Sequence, residues 1–144
     1  MNRLWKLWSL LYFVILLYVV FFARRRPYPT WNPRQWHFRW IPFETKWHLY
    51  TQGYEVSGIY LDILGNIIMF TPLPLFLFIV FGVRNYWKLL SSAFLFSTVI
   101  ETIQYVTNIG FADIDDIIFN TIGGLLGVLI IDGVKRALDK DTIT

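Results

Sequence analysis

Cysteine is absent from the 144-residue chain, and charged residues make up only 16% of it. The lack of cysteine excludes disulfides, thiolate metal sites and a cysteine nucleophile. The low charge accompanies 56% hydrophobic residues and a mean hydropathy of +0.48, which lies outside the usual range of soluble domains. The composition therefore predicts an integral membrane protein.

Basic residues give the chain a net charge of +3, which by itself is compatible with nucleic-acid binding. The thirteen Lys and Arg residues, however, lie mostly beside apolar runs, where they suit lipid head groups. A nucleic-acid binder also needs a soluble fold to carry its basic face. Membrane lipids are therefore the expected partners, and nucleic acid is not.

Four apolar runs approach the roughly 20 residues that a helix needs to cross a bilayer. They predict an all-α membrane protein, a four-helix transmembrane bundle with spans at about residues 7–23, 59–83, 89–106 and 117–134 in a single domain over 1–144. The long loop 24–58 is rich in proline, tryptophan and arginine and is expected to lie at the membrane interface. Pro72 and Pro74 are expected to break or kink the second span.

Polar residues recur every three or four positions near the start of span two, the end of span three and the start of span four. In a chain that crosses the membrane at each span, these three places lie on the same side as the loop. The candidate ligand-binding residues are Asp62, Asn66, Glu101, Gln104, Asp113, Asp115, Asp116 and Asn120. A second set in the loop forms a possible basic lid that suits phosphate, namely Arg24, Arg25, Arg26, Arg34 and Arg39.

Glu101 is the most unusual of these residues, because an ionised carboxylate at its depth costs at least a few kcal/mol if it faces lipid. Like charges at one face also need compensation. A shared proton at Glu101, a divalent cation and the basic loop are the three alternatives, and the loop is expected to neutralise an outward-lying Asp115. The sequence does not establish a metal site. The candidate ligands for a divalent cation are Glu101, Asp113 and Asp116, and no other cofactor is indicated.

Three motifs, read in order, resemble the VanZ-like family. They are "NIIMFTPLP" at Asn66–Pro74, "ETIQ" at Glu101–Gln104 and "ADIDDIIFNTIGGLLG" at Ala112–Gly127. Pro74 departs from the family pattern, which usually has glycine there. The resemblance implies a bacterial cell-membrane protein of four or five helices linked to resistance toward teicoplanin and related glycopeptides.

The resemblance also bears on orientation, which charge leaves nearly tied at seven basic residues on one side and six on the other. The family layout favours the acidic face outside and both termini in the cytoplasm.

Three functional hypotheses follow. The first is a cell-envelope protein that binds an amphipathic or lipid-linked ligand, such as a glycopeptide or a wall precursor, at the acidic outer face. The second is a membrane enzyme that uses Glu101 or Asp116 as acid or base. The third is a structural or assembly protein whose polar residues only hold the helices together. The oligomeric state is not indicated.

Overall fold

The computed structural model describes residues 3–20, 38–107 and 112–141 and is almost entirely helical. In chain order its elements are α1 Arg3–Tyr18, β1 Phe38–Arg39, α2 Glu44–Thr51, α3 Val56–Phe70, α4 Pro72–Val80, α5 Tyr86–Thr107, β2 Ala112–Asp113 and α6 Ile114–Asp141. Helix α6 packs against α3, α4 and α5, and α1 packs against α4. The all-α class predicted from the sequence is confirmed.

Three segments of the described chain are long and apolar enough to cross a membrane: Val56–Val80, Tyr86–Thr107 and Ile114–Asp139. They correspond to the last three predicted spans, and each begins three residues earlier than expected. The apolar part of the first helix, Leu7–Tyr18, is shorter than a full span, and the rest of predicted span 7–23 lies largely outside the described residues. The four-span count therefore stays a prediction.

The helix break at Thr71 separates α3 from α4, as the two prolines predict. Pro72 is the first residue of α4, where its missing N–H costs little. A side chain from α1 reaches the backbone next to the break, because the Tyr12 hydroxyl donates to the Met69 carbonyl over 2.6 Å. The Thr71 hydroxyl donates to the Ile67 carbonyl over 2.7 Å. Side-chain hydroxyls thus bond two backbone carbonyls of α3 just before the break.

Glycines on α6 allow this helix to lie directly against the broken one. A Cβ at Gly123 would run into the Ile67 backbone, and one at Gly127 would run into the Thr71 carbonyl. Small residues of this kind let helix backbones approach closely in a membrane. The close approach brings α6 alongside α3.

The apolar core lies between α1, α4 and α5, where Leu16, Phe70 and Phe76 are almost fully buried. The rings of Phe13 and Phe76 stack at 4.7 Å between centroids. Outside this core, large apolar side chains such as Leu61 and Ile68 are 73% and 64% exposed. An exposed apolar surface of this extent suits contact with lipid.

The predicted loop 24–58 has regular structure in its second half. Phe38 and Arg39 form a short parallel pairing with Ala112 and Asp113, and α2 follows the last proline of the loop. Residues 24–37, which carry most of the proline, lie outside the described ranges. The prediction of a loop was therefore wrong for residues 44–51. This end of the segment contains no proline and can form a helix.

Candidate functional site

A single buried lysine lies at the centre of the predicted acidic face. Lys46 projects from α2, is only 7% exposed, and places its ammonium 2.7 Å from Asp115 Oδ2 and 3.4 Å from Asp62 Oδ2. The same ammonium lies 5.5 Å from the centroid of the Phe119 ring, a distance typical of a cation–π contact. Helices α2, α3 and α6 therefore meet at one charge.

Asp115 fixes the backbone of the segment before α2 as well as its lysine. Its Oδ1 accepts the backbone N–H of Phe43 over 2.7 Å. Phe43 has a φ of 62°, a left-handed conformation that is unusual for a residue other than glycine. Strain of this kind persists where surrounding contacts hold the backbone in place, and here the carboxylate and the nearby Phe119 ring do so.

Asp113 continues the chain of contacts toward α5. Its Oδ1 accepts the backbone N–H of Asp115 over 3.0 Å, and its own N–H donates to Glu101 Oε2 over 2.8 Å. Arg39 Nη1 lies 3.7 Å from Asp113 Oδ2, an ion pair slightly longer than a hydrogen bond. Glu101, Asp113, Asp115 and Lys46 thus form one connected series.

Two amide side chains complete the site deeper between the helices. Asn66 Nδ2 on α3 donates to Asp116 Oδ1 over 2.7 Å, and Asn120 Nδ2 on α6 donates to Ser97 Oγ on α5 over 2.9 Å. We call the following set the acidic cluster: Asp62, Asn66, Glu101, Asp113, Asp115, Asp116 and Asn120, together with Lys46, Arg39 and Ser97. Seven of the eight predicted ligand residues belong to it.

Gln104, the eighth predicted residue, points elsewhere. Its Nε2 lies 3.4 Å from the Val20 carbonyl, just after α1, so it links α5 to the first helix. Its Oε1 and the Oδ1 of Asn120 are both buried and have no hydrogen-bond donor among the residues that the structure describes. A buried acceptor left without a donor typically costs about 1–3 kcal/mol. The cluster therefore holds unused capacity to accept hydrogen bonds.

The pKa values of Lys46 and Asp113 are shifted by burial and by neighbouring charges. Burial disfavours the charged ammonium of Lys46, but the hydrogen bond to Asp115 and the charges of Asp113 and Asp62 outweigh it, so the pKa of Lys46 is raised. Burial raises the pKa of Asp113 above its ordinary value, and the Lys46 charge opposes only part of that increase. The two directions describe an ammonium firmly held and a carboxyl that resists ionisation.

The expected neutralisation of Asp115 by the loop is confirmed, but the expected outward position of Asp115 was wrong. The basic group is Lys46, because α2 carries it directly over the carboxylate. Asp115 is not an outward-lying group, since it is 1% exposed. Of the predicted basic lid, only Arg39 is described, and it lies beside Asp113; Arg24, Arg25, Arg26 and Arg34 fall outside the described ranges.

The predicted divalent-cation ligands, Glu101, Asp113 and Asp116, bind groups of the chain itself. Glu101 accepts a backbone N–H and Asp116 accepts the Asn66 amide. Across residues 3–20, 38–107 and 112–141, no three His, Cys, Asp or Glu side chains are grouped so as to hold a metal ion. The donor set of the cluster thus favours ammonium, amide and hydroxyl partners.

Sequence reasoning missed the central place of Lys46 and the contact of Ser97. Ser97 lies four residues before Glu101 and so falls on the same helical stripe, which is a signal that the sequence does contain. Lys46 is the single lysine between residues 24 and 58, but nothing in an irregular segment ranks it above the five arginines there.

The apolar helices and the cluster buried between them define a small helical membrane protein with a charged interior site at one end. The model of the VanZ/LLP1 family matches residues 9–135, so the chain belongs to the VanZ/LLP1 family. A relative, Protein VanZ of Enterococcus faecium, is 32% identical over 75 residues, which is 52% of this chain and 47% of the relative. The match thus spans about half the length of that relative. No solved structure matches the chain significantly.

Proposed function

We propose that this chain is a multi-pass protein of the bacterial cell membrane that contributes to resistance against glycopeptides such as teicoplanin. In this proposal the acidic cluster faces outward, both termini lie in the cytoplasm, and the cluster binds an amphipathic or lipid-linked ligand, either a glycopeptide or a wall precursor. Membership of the VanZ/LLP1 family supports the link to resistance. The geometry of the acidic cluster supports the ligand.

The observation that carries the proposal is the donor-less Oδ1 of Asn120. Asn120 is 3% exposed and its amide nitrogen is already bonded to Ser97, so the side chain is held in place with one acceptor unused. A ligand amine, amide or hydroxyl that reached this oxygen would recover the hydrogen bond. Carboxylates of the same cluster favour a cationic donor over a neutral one.

Lys46 shows what kind of group the outer part of the cluster accepts. Its ammonium is held by two carboxylates and lies beside the ring of Phe119. A primary amine on a ligand offers the same chemistry and competes with Lys46 for Asp62 and Asp115. Binding by exchange requires α2 to move away from the cluster, which opens the path to Asn120.

The test compares Asn120→Leu with Ser97→Ala. Both substitutions remove the bond between α5 and α6, but only the first removes the unused acceptor. Thr121→Val is a further control, because Thr121 lies on a different face and bonds only within its own helix. The readouts are the minimum inhibitory concentration of teicoplanin in an expressing strain and the thermal shift that teicoplanin causes in the purified protein.

The proposal expects Asn120→Leu to lose both resistance and the thermal shift, while Ser97→Ala and Thr121→Val keep most of each. Equal losses in Asn120→Leu and Ser97→Ala, with normal amounts in the membrane, would contradict it. A different pair of results would indicate that the ligand is a wall precursor and not the glycopeptide. In that case Asn120→Leu still loses resistance, but teicoplanin does not shift the unfolding temperature of the wild-type protein.

A purely structural role is the second candidate, and one observation favours it. The cluster joins β1, α2, α3, α5 and α6 through side chains that bond one another. Under this alternative Glu101→Gln, which keeps an acceptor for the Asp113 N–H, retains full resistance. Loss of resistance in Glu101→Gln at normal membrane level would instead favour a role for its charge in binding.

A further inference from the structure

The end of the molecule opposite the acidic cluster carries a second set of charges, which the proposed function does not use. The turn between α4 and α5, the start of α5 and the last part of α6 meet there. We call the following set the basic patch: Arg84, Lys88, Lys135 and Arg136. Its residues lie over an apolar base in which Leu89, Val128 and Ile131 are buried and against which Phe78 and Tyr86 pack.

Two cations of the basic patch share one aromatic ring. The Arg84 guanidinium carbon lies 3.9 Å from the centroid of Phe78, and the Lys135 ammonium lies 5.0 Å from the same centroid. The two charges are therefore at most about 9 Å apart, a range at which like charges repel unless they are strongly screened. Aromatic contacts hold them together despite that repulsion.

Neither of these cations is paired with a carboxylate within the described ranges. The nearby Asp132 is held by Arg136 at 2.7 Å and by the Tyr86 hydroxyl at 3.1 Å. Lys135 contacts the Tyr86 oxygen at 3.4 Å and the faces of two rings. Arg84 and Lys135 are thus two neighbouring positive charges whose protein partners in the described ranges are rings and a hydroxyl, a setting that suits an anion.

The location of the patch identifies the class of anion. Trp87 and Phe81, beside the patch, are 78% and 66% exposed. Phe81 directly follows one candidate span and Trp87 is the second residue of the next, positions where aromatic side chains mark the level of lipid head groups. We propose that Arg84 and Lys135 form a binding site for the phosphate of an anionic phospholipid, with the Phe78 ring fixing the distance between the two cations.

The experiment measures lipid retention by two double variants with the same loss of charge. Arg84→Gln with Lys135→Gln removes the ring-held pair, and Lys88→Gln with Arg136→Gln removes two other charges from the same patch. Each protein is released from nanodiscs of equal parts phosphatidylglycerol and phosphatidylcholine, and native mass spectrometry gives the ratio of bound lipids. The wild type is expected to retain phosphatidylglycerol in at least about fivefold excess, the effect of roughly one cation near a lipid surface.

The excess is expected to fall to about one in the first double variant and to change by less than about twofold in the second. A ratio of one in the wild type, or equal falls in the two variants, would overturn the proposal, since either result means diffuse attraction or none. The single variant Arg84→Gln covers the case in which the first double variant does not fold, because Arg84 is exposed and contacts only a ring. It is expected to lose at least half of the excess.

A comparison with inorganic phosphate distinguishes a site for a phospholipid head group from a site for soluble phosphate. Thermal unfolding of the wild type in neutral detergent is followed with phosphatidylglycerol, with phosphatidylcholine and with inorganic phosphate at equal concentration. Stabilisation by phosphatidylglycerol alone supports a lipid site. An equal shift with inorganic phosphate would mean a site for soluble phosphate and would overturn the assignment to lipid.

Discussion

The two ends of the molecule carry charge in opposite ways. At the acidic cluster, charged side chains are buried and bond partners that are distant in sequence, such as Lys46 with Asp115. At the basic patch, the closest ion pair joins Asp132 and Arg136 along one helix, and the arginine side chain is 77% exposed. Buried charges are costly to desolvate and severely destabilising to leave unpaired, whereas exposed pairs contribute little. The charges of the acidic cluster are therefore expected to matter for the fold, whereas those of the basic patch are expected to contribute little to stability.

The largest expected contrast concerns the sides of the membrane on which the two ends lie. Ser57 begins α3 at the acidic end, and Asn85 precedes α5 at the basic end; both are exposed. Cysteines introduced singly at these positions in the cysteine-free chain are expected to differ completely toward an impermeant thiol reagent in intact cells, with only one labelled. Labelling of both, or of neither until the cells are permeabilised, would break the two-ended description.

The next effect in size is expected from Lys46→Met. The substitution leaves the buried Asp115 without its ammonium partner, which typically costs about 3–5 kcal/mol in free energy of unfolding. Lys88→Met at the exposed end is the matched control and is expected to change stability by less than about 1 kcal/mol. Unfolding in detergent micelles measures both.

A second substitution tests the reason for that loss. Adding Asp115→Leu to Lys46→Met removes the unpaired charge and is expected to restore part of the stability. A double variant less stable than Lys46→Met would show that Asp115 acts mainly through its bond to the Phe43 N–H.

A smaller effect is expected in the pH dependence of stability. Because burial raises the pKa of Asp113 above 3.8, the folded protein keeps a proton there that the unfolded chain has released. Stability from this group therefore falls as pH rises from 3.8 through the raised pKa. The side chain in Asp113→Asn cannot ionise, so the stability of this variant is expected to fall less steeply over the same pH window. The exposed Asp139, changed to Asn, is the control, and identical slopes in all three proteins would contradict the burial argument.

The smallest effect is expected from Arg136→Gln. Its bond to Asp132 is an exposed contact between residues four apart on one helix, a type of pair worth about 0.3–0.5 kcal/mol. Unfolding should shift within that range at low salt and less at high salt, because exposed charges are screened. A loss comparable to that of Lys46→Met would remove the distinction between the two ends.

The sequence predicted which residues share an end because that conclusion needs only the order of apolar runs. Asp62, Glu101 and Asp116 lie at the ends of three successive runs, so their convergence follows from topology alone. The break at Pro72 and the close approach at Gly127 were predictable as well, since backbone chemistry decides both.

The partners within the cluster could not be predicted in the same way. Which basic residue reaches Asp115 depends on the path of the segment after residue 37, and that path depends on tertiary contacts such as the pairing of Phe38 with Ala112. Local propensity carries little information on two-residue strands that pair across most of the chain. The burial of Asp115 was missed for the same reason, because only the position of α2 covers it.

The order in which the chain is synthesised gives the Lys46–Asp115 bond a further meaning. The two residues are 69 positions apart, so Lys46 leaves the ribosome well before its carboxylate exists. Contacts of such long sequence separation cost more loop-closure entropy than local ones and are associated with slower folding. The bond to Asp115 therefore forms only after the start of α6 has been synthesised. A chain interrupted before Asp115 keeps Asp62 as a carboxylate partner for Lys46 but lacks the closer of the two.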